Sequence, residues 1–294
     1  MSINSFPGQG DARLFSRFRE LRQPRKVPSR APIDNTEAVP ATFSLVSVPS
    51  VEARCLPEAR LVFHHDPNSP GADRFRQLRM RLREAQNATK LKKVLITSAL
   101  PHDGKSTISL NLASALTERG ERSVLLIEAD LYRPCLVRQL QLQPWPGLAE
   151  SLEDQKSAVP AVRRVEPLGW YLLPGGVPSG NPTELLQSDA LAGVLQDLAP
   201  RFDWILIDAP PLVPFADALS VARQADATLF VVRSGVTPRS AIDEAVALLG
   251  PKNIFGVVFN GAADLNHRYS KYQGYYAQES SAFHDEEHAL NREP

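Results

Sequence analysis

The chain of 294 residues contains only two cysteines, Cys55 and Cys135. Two thiols without metal-ligand spacing are too few for a disulfide framework or a structural zinc site, and they fit a reducing cytoplasm. The 33 basic and 33 acidic residues give a formal net charge of zero. Because no charge of one sign dominates, the composition gives no indication of binding to nucleic acid.

Long apolar runs are also missing from the sequence. No stretch reaches the roughly 18 consecutive apolar residues that predict a bilayer-spanning helix, and the N-terminus lacks the charged-then-apolar layout of a secretory signal. The sequence therefore predicts a cytoplasmic protein. Any association with a membrane is then expected to come through a partner or a surface patch.

The strongest motif is KVLITSALPHDGKST at residues 93–107. An apolar run predicts a buried strand, a polar turn follows, and an apolar-periodic helix begins at Lys105, which is the order of a phosphate-binding loop. In such loops, backbone N–H groups and the helix N-terminus surround a phosphate, the lysine contacts the outer phosphates and the next hydroxyl ligates Mg²⁺. The predicted nucleotide-binding residues here are Ala99, Asp103, Gly104, Lys105, Ser106 and Thr107.

Acidic residues follow two further apolar runs. The run 123–127 leads into Glu128 and Asp130, and FDWILID at 202–208 ends in Asp208. Ligands of parallel α/β sheets lie at the carboxyl ends of the strands. We therefore predict that Ser106, Asp130 and Asp208 hold Mg²⁺ and that Glu128 or Asp130 orients an attacking hydroxyl, beside the catalytic Lys105. The alternatives are an acidic turn without chemistry at 128–130 and a capping role for Asp208.

The remaining pattern predicts an α/β fold with a mostly parallel twisted sheet and helices on both faces. Further strands are expected at 169–173, 227–232 and 254–259, and helices at 73–85, 106–119, 182–198, 216–223 and 239–249. Asn181 is expected to cap the helix that Pro182 begins. Asn260, at the end of the last predicted strand, suits either a contact with a nucleotide base or a turn.

The composition divides the chain into three parts. Residues 1–70 are predicted to be a flexible arm rich in proline and arginine, residues 71–261 a folded domain, and residues 262–294 a flexible polar tail. The arm is basic between Arg13 and Arg30, with a candidate short helix at 12–21. It is either a solvated segment or a contact for an anionic membrane or a partner.

Two surface features suggest contacts between subunits. Asp73, Arg76 and Arg79 recur every third residue of a predicted helix, so they form a charged row that either pairs with a neighbouring subunit or faces solvent. The tail holds four of the six tyrosines, either to enter another subunit's nucleotide site or to dock on a partner; they are Tyr269, Tyr272, Tyr275 and Tyr276.

Together, these motifs resemble the bacterial tyrosine kinases (BY-kinases) of capsule and exopolysaccharide assembly, over about residues 73–276. SALPHDGKST is similar to the family's Walker A motif, VLLIEADLYRP to its modified second Walker motif, and ILIDAPP to its Walker B motif. The tyrosine cluster YSKYQGYY, the segment NPTELL and the charged row DRFRQLR also match family patterns. Ala99 replaces the first loop glycine, and Glu128 stands where the family usually has aspartate.

The resemblance implies a P-loop kinase related to the MinD and ParA ATPases, with ATP and Mg²⁺ as cofactors. It implies transfer of the γ-phosphoryl group to the tail tyrosines in trans, within a ring formed through the Asp73, Arg76 and Arg79 row. It also implies a membrane-bound polysaccharide co-polymerase as a separate activator that holds the kinase at the inner face of the plasma membrane. The competing hypotheses are a MinD/ParA-like ATPase switch and a nucleotide-binding scaffold with negligible turnover.

Overall fold

The computed structural model describes residues 45–215 and 217–262. The basic stretch at 13–30 and the four tail tyrosines lie outside the described residues. The described part is built on an eight-stranded sheet with the strand order β1-β4-β5-β3-β6-β2-β7-β8. The strands are β1 Ser50–Glu52, β2 Lys93–Ser98, β3 Val124–Glu128, β4 Arg163–Glu166, β5 Trp170–Leu173, β6 Trp204–Asp208, β7 Ala227–Arg233 and β8 Ile254–Asn260.

The strand pairs are parallel with one exception, the antiparallel pair β4–β5. The prediction of a mostly parallel sheet is therefore confirmed. The strand β4 was not predicted, because its sequence RRVE carries little apolar signal. The described helices are α1 Val62–His65, α2 Pro70–Thr89, α3 Lys105–Leu116, α4 Leu136–Gln139, α5 Leu148–Glu153, α6 Pro182–Gln187, α7 Asp189–Leu198, α8 Asp217–Gln224 and α9 Arg239–Leu249.

Two hydrophobic layers cover the two faces of the central strands. Alternate residues of a strand point to opposite faces, so in β2 Val94 and Ile96 pack with α2 and α3. Leu95, between them, belongs to the opposite cluster, which includes residues of α5, α6 and α7. The third cluster joins α9 to β7. This arrangement confirms the predicted helices on both faces of the sheet.

The folded domain begins before residue 71, so the predicted boundary is wrong at its N-terminal side. Strand β1 pairs in parallel with β4, and Leu61 is 1% exposed within the core. The backbone N–H of Val62 donates to Asn111 Oδ1 at 2.8 Å. No periodic signal marks this segment, because the prolines break it into short pieces, each of which is held by tertiary contacts.

Helix α2 is longer than predicted, because Ser69 caps its first turn by accepting from the N–H of Ala72 at 3.3 Å. Its predicted apolar stripe, Phe75, Leu78 and Leu82, is buried. The single helix predicted over 182–198 is instead two helices that meet at Ser188. Among the helices of residues 45–215 and 217–262, none has the length and hydrophobicity that a bilayer crossing requires.

Candidate active site

The phosphate loop joins the end of β2 to the start of α3. Gly104 has φ +96°, and a Cβ at this position would overlap the side-chain amide of Asn260. Only glycine satisfies both constraints without strain. Asn260 Nδ2 donates to the carbonyl oxygen of Asp103 at 3.0 Å. The amide of Asn260 therefore braces the loop from the end of β8.

Asp103 and Ala99 are two buried residues of the phosphate loop. The Asp103 carboxylate is 2% exposed, and it accepts from the N–H of Leu100 at 3.1 Å and from Thr237 Oγ1 at 2.7 Å. Because both carboxylate oxygens are used within the protein, we assign Asp103 a structural part in the predicted nucleotide site. Ala99 is fully buried and its backbone is not left-handed, so alanine fits here without strain.

Lys105 and Asp130 meet where β2 and β3 end. Lys105 Nζ lies 2.9 Å from Asp130 Oδ2, and the two side chains are 13% and 7% exposed. Burial lowers the pKa of Lys105, but the nearby Asp208 and Asp130 carboxylates raise it by more, so the net shift is upward. The ammonium therefore stays protonated at neutral pH, as contact with phosphate oxygens requires.

Asp208 lies fully buried beside this pair. Its Oδ1 accepts from Ser109 Oγ at 3.1 Å, while its Oδ2 has no hydrogen-bond partner among the described residues. Burial raises the pKa of Asp208 to about 6, against the opposing effect of Lys105. A buried carboxylate oxygen without a donor is costly unless a cation or another polar group supplies the missing contact.

These residues fit Mg²⁺, which prefers hard oxygen ligands and keeps several waters. The orphaned Asp208 Oδ2 is available, and the Ser106 hydroxyl, in the first turn of α3, is near enough to lower the pKa of the same carboxylate. In the described part of the chain, no three His, Cys, Asp or Glu side chains cluster to form a complete metal site. The protein thus offers part of a coordination shell, as in sites where phosphate oxygens and water complete it.

Glu128 was predicted as one of two candidates to orient a hydroxyl, but its carboxylate is bound to backbone N–H groups instead. Its side chain is 1% exposed, and its Oε1 accepts from the N–H groups of Cys135, at 2.5 Å, and Leu136, at 2.7 Å. Its Oε2 accepts from the N–H of Gly175 at 3.0 Å. Burial raises the pKa of Glu128 although these three N–H groups lower it. The carboxylate therefore ties β3 to two loops, and of the two candidates for orienting a hydroxyl the geometry favours Asp130.

Comparison with known proteins adds a second line of support to this geometry. No protein-family model matches the chain. The tyrosine-protein kinase YwqD of Bacillus subtilis is 32% identical over 213 residues, which cover 72% of this chain and 88% of YwqD. The chain belongs to the bacterial tyrosine-protein kinases. The family resemblance inferred from the motifs is thereby confirmed.

Some other relatives of this bacterial tyrosine kinase are much longer than it. The succinoglycan biosynthesis transport protein ExoP of Rhizobium meliloti is 31% identical, and the chain spans 28% of its length. Among solved structures, the kinase domain of Escherichia coli ETK has a TM-score of 0.65 at 26% identity, covering 69% of this chain and 80% of that one. The cell-division ATPase MinD of Pyrococcus furiosus has a TM-score of 0.51 at 26% identity, covering 59% and 74%. The predicted P-loop fold related to MinD is confirmed.

The predicted subunit-contact row of the kinase lies on the surface of α2 and makes contacts within its own chain. Arg76 pairs with Asp73 at 2.7 Å and donates to the carbonyl of Pro67 at 2.6 Å. Arg79 donates to the carbonyl of Ala115 at 3.2 Å, across to the helix that carries the phosphate loop. Whether the row also joins subunits stays a prediction. The predicted phosphoacceptors, Tyr269 to Tyr276, lie outside the described residues.

The sequence did not predict one cluster of hydrogen-bonded side chains next to the kinase site. The Tyr132 hydroxyl lies 2.6 Å from Asp217 Oδ2 and 2.5 Å from Thr183 Oγ1, and its ring stacks on Phe215 at 4.3 Å. Asp217 is 2% exposed. The cluster joins the loop carrying Asp130 to α6 and to the segment after Asp208. Tyr132 and Thr183 lie inside recognised motifs, but only the fold shows that they meet.

Proposed function

We propose that this chain is an ATP-dependent protein-tyrosine autokinase that phosphorylates its own C-terminal tyrosines in trans. The observation that carries the proposal is the convergence of Lys105, Asp130 and Asp208 beside the phosphate loop. Nζ of Lys105 lies 2.9 Å from Asp130 Oδ2, and the buried Asp208 has an oxygen without a protein donor in the described structure. The acceptors are Tyr269, Tyr272, Tyr275 and Tyr276.

In this mechanism the protein acts mainly by positioning the reacting groups and stabilising their charge, and little covalent chemistry is required of it. The phosphate-loop amides and the protonated Lys105 hold the outer phosphates and stabilise the charge that develops on them. Ser106 and Asp208 hold Mg²⁺ with support from Asp130, and the ion neutralises phosphate charge when bound. Asp130 orients the tyrosine hydroxyl and accepts its proton, as the phosphoryl group passes from the ATP β–γ bridging oxygen to the phenol oxygen.

The biological role is proposed from the relatives. The name of ExoP, a succinoglycan biosynthesis transport protein, places that relative in polysaccharide export. We infer that the chain regulates exopolysaccharide or capsule polymerisation at the inner face of the membrane, activated by a membrane-bound co-polymerase. Each phosphotyrosine adds about −2 charge, so a phosphorylated ring held by Asp73, Arg76 and Arg79 is expected to dissociate by repulsion.

Incubation of the full chain with ATP labelled in the γ-phosphate tests the proposal. Label on the four tail tyrosines supports the kinase. Release of free phosphate alone would instead support a MinD/ParA-like switch, and neither product would support a scaffold. Lys105→Met should abolish labelling, whereas Lys252→Met, on the exposed surface, should not. Changing the four tyrosines to phenylalanine should remove most of the label, and adding a candidate co-polymerase should increase it in the unchanged chain.

A further inference from the structure

A cleft of about 850 Å³ lies between α5, α6 and α7, and none of its lining residues belongs to the phosphate loop. Leu152 and Val194 are buried at its base, and Leu185 is half-buried in its lining. Its charged residues are mostly acidic: Glu153, Glu184, Asp189 and Asp197, with Lys156 as the cation among the described lining residues. We call this feature the acidic cleft.

Several of these charges already have partners. Glu153 accepts from the N–H groups of Ser179 and Gly180, Asp197 pairs with Arg201 at 2.8 Å, and Lys156 pairs with Asp154 at 3.0 Å.

Glu184 and Asp189 are different from the other acids of the cleft. Both are exposed, and neither enters an ion pair within residues 45–215 and 217–262. Their negative charges are therefore available to attract a cationic segment. The half-buried Leu185 beside them gives such a segment an apolar side chain to bury, which a charged rim alone would not.

The chain itself contains a segment of matching chemistry. Residues 13–30 hold six arginines and Lys26 against a single acid, Glu20. Within the same stretch, Leu14, Phe15, Phe18 and Leu21 recur at helical spacing, so basic and apolar side chains alternate along a short length of sequence. This combination matches an acidic cleft with an apolar floor.

The described structure begins next to the acidic cleft, so residues 13–30 are within reach of the cleft. Val48 is a buried member of the hydrophobic cluster that contains Leu152 and Val194, and Leu45 packs against the same cluster. The chain therefore enters the fold on the layer that forms the acidic cleft. From Arg30 to Leu45 the connection spans fifteen residues, and at about 3.3 Å per residue it extends to about 50 Å.

We propose that the acidic cleft binds the chain's own basic segment, residues 13–30, within the same molecule. Arginine and lysine side chains pair with Glu184 and Asp189, and the apolar side chains of the segment pack on the half-buried Leu185. The inference is independent of the kinase proposal, because none of the residues that line the cleft belongs to the phosphate loop and its test does not measure catalysis.

Zero-length carbodiimide cross-linking of the full chain tests this inference, since it joins a lysine amine only to a carboxylate in direct contact. Lys26 is the only lysine in the first 44 residues, so its products are easily assigned by mass spectrometry. Arg22→Lys and Arg30→Lys variants extend the test along the segment. We expect links to Glu184 or Asp189 that fall at least about fivefold in about 1 M salt, where charges are screened beyond about 3 Å.

The double variant Glu184→Gln/Asp189→Asn should lose links to the cleft, whereas Asp243→Asn/Glu244→Gln, two exposed acids of α9, should keep them. The proposal is overturned if none of the three lysine positions links selectively to the cleft. It is also overturned if mixed isotope-labelled and unlabelled chains link to each other, which would assign the cleft to a second copy. If no link to the cleft forms in low or high salt and the full chain binds anionic lipid vesicles, the proposal is overturned and the segment is assigned to a membrane instead.

Discussion

Replacing Asp208 with asparagine is expected to stabilise the ligand-free protein at neutral pH while it removes function. The carboxylate is fully buried, and burial raises its pKa from 3.8 to about 6. A raised pKa means that the folded state favours the protonated acid. Stability is therefore lost as the pH rises from about 4 to about 6, and the full cost remains at higher pH.

The size of this effect follows from the two pKa values. The difference between 3.8 and about 6, at about 1.36 kcal/mol per pKa unit, corresponds to about 3 kcal/mol. An asparagine side chain cannot ionise, so above about pH 6 the Asp208→Asn variant avoids this loss of stability. Below about pH 4 the wild-type acid is protonated, and the variant has no such advantage over it. Any cost of placing the new amide beside Ser109 is the same at both pH values, so it cancels in the difference between them.

Urea unfolding of the wild-type chain and Asp208→Asn at pH 4 and pH 7.5, without nucleotide or Mg²⁺, measures the effect. We expect the stability of the variant relative to wild type to improve by about 2–3 kcal/mol between the two pH values. Asp243→Asn, which changes an exposed acid that pairs with Arg239 at 3.6 Å, should alter stability by less than about 0.5 kcal/mol. A relative stability of Asp208→Asn that does not vary with pH, or that falls at pH 7.5, would refute the assignment of a buried, ionisable Asp208.

Three further substitutions test the parts around this residue. Glu128→Gln should destabilise the fold by about 1–3 kcal/mol, because it places an NH₂ group among three backbone N–H donors; urea unfolding checks this, and an unchanged midpoint would argue against the brace. Gly104→Ala should weaken ATP binding at least about tenfold in calorimetry, since its Cβ meets Asn260 and φ is positive; wild-type affinity would contradict the loop geometry. Tyr132→Phe should lower the free energy of unfolding by about 1–2 kcal/mol, because the buried Asp217 loses a hydrogen-bond donor. An unaltered melting temperature would show that the cluster contributes nothing to stability.

The sheet and the phosphate loop could be predicted from the sequence because their signals are local. Val94, Leu95 and Ile96 are apolar without interruption, as a strand buried on both faces requires, and Gly104 and Lys105 follow at the expected spacing. The acids Asp130 and Asp208 were found for the same reason, since each closely follows or ends a buried strand.

The remaining features depend on contacts between distant parts of the chain. Strand β1 is three residues long and exists because β4 pairs with it, so no local pattern could show it. The brace at Glu128 requires the N–H groups of Cys135 and Gly175, the latter 47 residues away. Nothing in the sequence distinguishes a carboxylate that faces a substrate from one that faces backbone amides. Tyr132 and Asp217 meet across 85 residues for the same reason.

The central claim is that this site transfers phosphate from ATP to tyrosines of another copy of the chain. Its most direct test mixes an isotope-labelled Lys105→Met chain, which keeps its tail, with an active chain whose four tail tyrosines are phenylalanine, and adds ATP and Mg²⁺. Phosphotyrosine is expected at Tyr269, Tyr272, Tyr275 or Tyr276 of the labelled Lys105→Met chain. Unmodified tyrosines on that chain, while the unchanged protein releases free phosphate or stays inert, would contradict it.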